Sequence, residues 1–289
     1  MAILLTIDDA PSEGFVEKLS AMQEYGISSI LFCIGRDIVR NKAILFKALE
    51  QGHIIGNHTQ NHPWFSATSL TECLNEIEKG HESLLAFYKE AQTTPPQLYF
   101  RFPYGDVGDG KYGKHHFSFS EARQSMSFSH YWPLLQWRKF KSKLKDWQLG
   151  YFKEEEMANK ADTIQNKLKA LGYDPPNFLS IHHAFYARYQ YDHSTQCTYD
   201  NEDWRYRDNA LETYIKKLKT DLDQKIEEDV RGILTGNLPL RVKQTDHILL
   251  SHDYSNNNEI FRSTLEIIRQ ADLPFASPWH IVRPPNTLL

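Results

Sequence analysis

Short apolar runs alternate along the chain with longer segments in which apolar residues recur at helical spacing. Ile3-Leu4-Leu5-Thr6-Ile7 is apolar and partly β-branched without alternation, as a strand buried on both faces requires, and it runs into the turn-forming cluster Asp8-Asp9-Ala10-Pro11. Such a strand delivers two carboxylates at its C-terminal end. Phe15 to Tyr25 has helical spacing through Phe15, Leu19 and Met22 and stops at Gly26, and a second strand is read from Ser28 to Ile34, closed by Gly35. Asn41 to Gln51 reads as a helix before Gly52, and His53 to Gly56 as a short strand. Strand, helix, strand, helix, strand is the rhythm of a parallel α/β architecture.

The same rhythm predicts a helix from Ser69 to Lys89, capped at Ser69 or Thr71, and a strand from Leu98 to Phe102. From Gly105 to about Gly150 it gives way to Gly, Ser, His, Lys and aromatic residues without a period, which marks an insertion at about 106–150. It resumes with a helix from Glu154 to Leu171 ended by Gly172, and a strand at Phe178 to His182. A charged helix from Asn209 to Val230, a strand at His247 to Leu250 and a helix from Glu259 to Gln270 follow.

Composition narrows the class. At 289 residues, with 40% hydrophobic content, the chain can bury the core of one large domain, and residues 1–289 are read as one. A net charge of −4 without any basic block argues against nucleic acid as a partner. Three cysteines without CxxC spacing fit a reducing compartment rather than a disulfide framework. No leader and no apolar run of membrane-spanning length is read, so as written the expected location is the cytoplasm, or outside the cell had an export signal been removed.

Five segments carry chemistry: Thr6-Ile7-Asp8-Asp9, His58 to His62, Arg101-Phe102-Pro103-Tyr104, Asp200 to Trp204, and Leu250-Ser251-His252. Adjacent carboxylates raise one another's pKa, and a cation relieves that cost. His58 and His62 lie four apart, so on a helical turn both imidazoles would face one ion. Arg101 after an apolar strand needs a carboxylate beside it, and Pro103 fixes the backbone before the Tyr104 amide. His252 directly follows an apolar strand, where α/β barrels place active-site groups. Taken singly, each segment has a bland reading: a solvated Asp-Asp turn, surface histidines before Pro63, a rim salt bridge.

In this order the five segments resemble the motifs of the polysaccharide deacetylase (NodB-homology, carbohydrate esterase family four) family, TFDD, H[ST]xxH, RxPY, DxxDW and LxH. The resemblance is continuous from about residue 3 to 106 and resumes from about 155 to the C-terminus. It implies a distorted (β/α) barrel with fewer than eight strands. It further implies that Asp9, His58 and His62 hold one divalent ion, generally zinc, with cobalt, nickel or manganese as substitutes. Asp8 would be the general base, held by Arg101; His252 the acid, oriented by Asp203; the Tyr104 amide an oxyanion donor; and Trp204 and Leu250 the lining of the acetyl groove. The implied reaction is metal-dependent removal of N-acetyl groups from an amino-sugar glycan such as a chitin oligosaccharide or peptidoglycan. Rival readings are another amide or an O-acetyl ester on the same fold, and a pseudoenzyme that only binds carbohydrate.

The sequence departs from the family pattern in places. Ile7 stands where Phe is usual and Ala10 where Gly is usual, and Asp146-Trp147 competes with Asp203-Trp204 for the fourth motif. The insertion is expected to fold over the barrel mouth, with Trp132 and Trp137 among the aromatics offered to a sugar ring. The oligomeric state is not legible.

Overall fold

A computed structural model describes residues 2–109, 154–177, 179–182, 193–222, 240–241 and 245–279. Most of the 106–150 insertion, with Trp132, Trp137 and the Asp146-Trp147 pair, lies outside the described residues.

Among the described residues, five strands form one parallel sheet: β1 (Ile3–Ala10), β2 (Ile30–Cys33), β3 (Ile54–Asn57), β4 (Tyr199–Asp200) and β5 (His247–His252), in the order β3-β2-β1-β5-β4. β1 is central and nearly wholly buried, which is why its sequence shows no alternation. One face of the sheet turns inward. Leu4, Ile30, Phe32, Ile54, Tyr99 and Ile248 fill the interior in one cluster, while Ile3, Leu5, Ile7, Leu31 and Leu249 face the helices in another. Thr6 and Asp8 follow Leu4 on the inward face, so the filling changes from apolar to polar towards the carboxyl edge.

Outside pack α1 (Phe15–Glu24), α2 (Gly35–Arg40), α3 (Lys42–Glu50), α4 (Leu70–Glu90), α5 (Glu154–Ala170), α6 (Leu211–Asp221) and α7 (Asn258–Gln270). The start of α4 is set by a capping box: the Ser69 hydroxyl accepts from the Glu72 amide at 3.3 Å and the Glu72 carboxylate accepts from the Ser69 amide at 3.3 Å. α7 buries Ile260, Phe261, Thr264, Leu265, Ile267 and Ile268, the stripe an amphipathic helix presents to a sheet. Among the described residues, no helix is long and apolar enough to cross a membrane.

Several expected elements take another form. Residues 98–102 make isolated bridges, Asn57 to Phe100 and Leu98 to Tyr173, because β3 ends at Asn57 and offers no longer ladder. Residues 179–182 form no strand. Leu179 and Ile181 pack on the interior cluster, but Ser180 bonds Asp246, its amide donating to the carboxylate at 2.8 Å and its carbonyl accepting from the Asp246 amide at 2.9 Å. The place beside β5 belongs instead to the two-residue β4, which runs into the fourth motif at Asp200. Gly35 opens α2 rather than ending an element, since a side chain there would strike Gln60 and the backbone of Gly80.

Candidate active site and metal centre

All five motifs meet at the carboxyl edge of the sheet, where the strand ends of a parallel α/β fold converge. Asp8 and His252 are register partners on adjacent strands. Arg101, buried at the top of the interior, donates from Nη1 to Asp8 Oδ1 at 2.8 Å and to Thr6 Oγ1 at 2.7 Å, and from Nε to the Thr195 carbonyl at 3.1 Å. Its guanidinium lies 4.3 Å from the centroid of the Phe32 ring. The ion pair fixes one oxygen of Asp8 and leaves Oδ2 3.6 Å from His58 Nε2.

Asp9 occupies a bulge: the register with β2 shifts between Asp8 and Ala10, and Asp9 has φ 63°. This turns its carboxylate towards two histidines. His58 and His62 do not sit on a helical turn, as their spacing predicts, but in a loop where Thr59 (φ 66°) and His62 (φ 62°) are both left-handed. Side chains hold that loop where backbone ladders cannot. Asn57 Oδ1 accepts from the Thr59 amide at 2.8 Å, Thr59 Oγ1 from the His62 amide at 3.0 Å, and Glu76 of α4 from the Asn61 amide at 2.7 Å. α4 can come this close because position 80 is glycine; a Cβ there would lie 2.9 Å from the Thr59 carbonyl carbon.

One donor atom each from Asp9, His58 and His62 lies within 4.8 Å of the others. His58 Nδ1 donates to the Arg101 carbonyl at 2.8 Å, which leaves Nε2 as the lone-pair nitrogen, 3.7 Å from Asp9 Oδ1. Burial lowers the His58 pKa to about 4 against the pull of Asp8, so the ring is neutral, the ligating form. Asp9 Oδ1 is 3.1 Å from His62 Nε2, outside hydrogen-bond geometry, and is a buried oxygen without a hydrogen-bond partner among the described residues. Burial pushes the Asp9 carboxyl up, but the neighbouring imidazoles of His62, His58 and His252 hold it below the ordinary range. Two imidazole nitrogens and one carboxylate oxygen, with an orphaned anionic atom among them, fit a borderline divalent ion such as zinc.

On the other side of Asp8 stands His252. Its Nδ1 is 2.8 Å from Asp203 Oδ1, and its amide donates to Asp203 Oδ2 at 2.9 Å. Asp203 is fully buried. Burial would lower the imidazole pKa, but the hydrogen bond and charge of Asp203, helped by Asp200 and Asp9, raise it to about 10. The ring is therefore protonated at neutral pH, as a proton donor must be.

Tyr104 has φ 58° in the turn after Pro103 and stands exposed at the rim, its ring stacked on Trp64 at 4.3 Å and edge-on to His62 at 4.5 Å. Trp204 bonds Asp200 Oδ2 through Nε1 at 3.4 Å, and Leu250 is buried on β5 two residues before His252. The sequence reading did not single out Trp64 or Tyr254. The Tyr254 hydroxyl donates to Asp9 Oδ2 at 3.2 Å, and burial together with the charges of Asp9 and Asp203 pushes its pKa up, so it stays a donor. Its position two residues past His252, on a loop leaving the carboxyl edge, was the available signal. A buried cluster fastens that loop: Lys18 Nζ pairs with Asp253 at 3.1 Å and donates to the Tyr254 carbonyl and Asn258 Oδ1, both at 2.8 Å, while Asp253 accepts from the Ser12 amide and hydroxyl.

These features define a class first: a parallel α/β barrel-type protein with a candidate two-histidine, one-carboxylate metal centre at its carboxyl edge. Residues 1–113 match the family model for polysaccharide deacetylase. A peptidoglycan-N-acetylglucosamine deacetylase of Bacillus cereus is 32% identical over 108 residues, which is 37% of this chain and 48% of the relative. A chitooligosaccharide deacetylase of Sinorhizobium fredii is 27% identical over 109 residues, covering 37% of this chain and 49% of its own length. The chain thus spans about half the length of these curated relatives. In fold it is similar to a family 4 carbohydrate esterase from Streptomyces lividans solved with acetate, with TM-score 0.52 and 14% identity over 96% of this chain and 93% of that one.

Proposed function

We propose that this protein is a metal-dependent N-deacetylase of acetylated amino-sugar glycans, cleaving the amide to acetate and a free amine. The observation that carries the reading is the placing of Asp8, tied to Arg101, and His252, tied to Asp203, as register partners beside the Asp9, His58 and His62 cluster. A divalent ion held by those three residues, zinc in the first instance, would supply Lewis acidity for the amide carbonyl and lower the pKa of the attacking water. Asp8, paired with Arg101, takes the proton of that water as its oxygen bonds the carbonyl carbon. The Tyr104 amide donates to the oxyanion, and Trp204 and Leu250 line the space for the acetyl methyl. His252 gives its proton to the departing nitrogen as the C–N bond breaks, because an unprotonated amine is a poor leaving group. The residues matched to relatives named for peptidoglycan and chitooligosaccharide support an N-acetylated saccharide as substrate.

Metal analysis combined with acetate release from chitin oligosaccharides and peptidoglycan fragments tests this directly. His58→Ala and His62→Ala are expected to lose both bound metal and turnover, whereas Asp8→Asn keeps the metal and loses turnover. Metal lost from Asp8→Asn would exchange the roles of Asp8 and Asp9. A metal-loaded protein that releases acetate from none of these substrates would defeat the substrate class.

A further inference from the structure

Asp9 is poorly fixed by its own strand. It sits in the bulge where the β1–β2 register breaks, at φ 63°, and its Oδ1 has no hydrogen-bond partner among the described residues. A carboxylate so placed can rotate unless something grips its other oxygen. The Tyr254 hydroxyl, 3.2 Å from Oδ2, is in position to do so.

We propose that Tyr254 is a positioning residue for the metal centre, holding the Asp9 carboxylate so that Oδ1 stays turned towards His58 and His62. This rests on the metal-centre reading above. Tyr254 is itself well anchored. Its ring lies nearly parallel to that of His252, with 18° between the planes and centroids 6.0 Å apart, and the Arg207 guanidinium is 5.7 Å from its centroid. Its carbonyl is gripped by Lys18 Nζ, and Lys18 and Asp253 form an ion pair whose side chains are both wholly buried. Because Lys18 belongs to α1 and Asp253 follows β5, this pair ties the Tyr254 loop to the segment that leaves β1. The phenol therefore meets Asp9 from a frame that the carboxylate's own backbone does not provide, the arrangement by which outer partners orient metal ligands.

Tyr254→Phe removes the hydroxyl and keeps the ring. Zinc affinity of the full chain, measured by competition with a chromophoric chelator, is expected to fall about 10- to 100-fold, as is usual on loss of such a partner. The visible absorption of the cobalt-loaded protein should change, and the melting temperature of the metal-free protein should not. Activity lost at limiting zinc should return at saturating zinc. Unchanged zinc affinity and an unchanged cobalt spectrum would overturn the proposal, and a rise in KM for the glycan alongside them would make Tyr254 a substrate contact instead. A wild-type chain that binds no zinc would overturn the metal-centre reading and this proposal together, whereas zinc binding without acetate release would leave the proposal standing and remove only the assigned reaction.

Discussion

His252 stands near 10 because a buried carboxylate opposes the effect of burial, and the sign of a test follows from that balance. A general acid works only while protonated, so activity is lost as pH rises through its pKa, on the basic limb of the profile. Asp203→Asn removes the negative charge that raises the imidazole and leaves at most a neutral, weaker hydrogen bond, so burial weighs more. The basic limb of kcat/KM is expected to move to lower pH in this variant. A bound cation would cancel the contribution of Asp9, so the wild-type limb should lie below about 10. Profiles of the two proteins over the alkaline range check this, and a limb unmoved by the substitution would mean that another group sets it.

Elements with a strong local signal were legible in the sequence. The period of Phe15, Leu19 and Met22, the Ser69 cap and the stripe of α7 each declare themselves within a few residues. What stayed hidden depends on partners far along the chain. An apolar segment at 98–102 cannot reveal that β3 stops at Asn57, and HxxxH spacing cannot show that its residues are held by Asn57, Thr59 and Glu76 rather than by helical hydrogen bonds. The candidate site was legible residue by residue because ordered motifs do not depend on the shape of the loop between them. Tyr254 was missed because only the bulge at Asp9 gives it a role. Gly80 tests how far α4 shapes the loop. In the interior of a helix, alanine should gain about 1 kcal/mol over glycine, but its Cβ would lie 2.9 Å from the Thr59 backbone, and overpacking of that kind costs about 1–3 kcal/mol. Gly80→Ala is expected to destabilise the fold and weaken zinc binding although it removes no ligand. A more stable variant with unchanged metal affinity would show that the loop does not lean on α4.

At the scale of the whole molecule, the matched residues 1–113 hold Asp8, Asp9, His58, His62, Arg101 and Tyr104, while Asp203 and His252 lie beyond them. The sheet order joins the two sets, since β5 pairs with β1 although they stand at opposite ends of the chain. The stability of that sheet carries its own pH dependence through His53, fully buried at the start of β3. Its Nδ1 accepts from the Ser29 amide at 3.1 Å, and its Nε2 has no partner among the described residues. Burial lowers its pKa from 6.5 to about 4, so between those values the unfolded chain binds a proton that the folded protein refuses. Stability is therefore fully present above 6.5 and declines as pH falls towards 4. For one such group the loss between about pH 7 and about pH 5 is roughly 2 kcal/mol. His58, lowered to about 4 by its own burial, adds a second share in the metal-free protein. Asparagine can place its side-chain oxygen near the position of Nδ1 and keep the Ser29 bond without titrating. In urea unfolding of metal-free protein, His53→Asn is expected to start less stable, having lost volume, and to lose roughly 2 kcal/mol less than wild type between the two pH values. An equal loss in both proteins would place the acid sensitivity elsewhere in the fold.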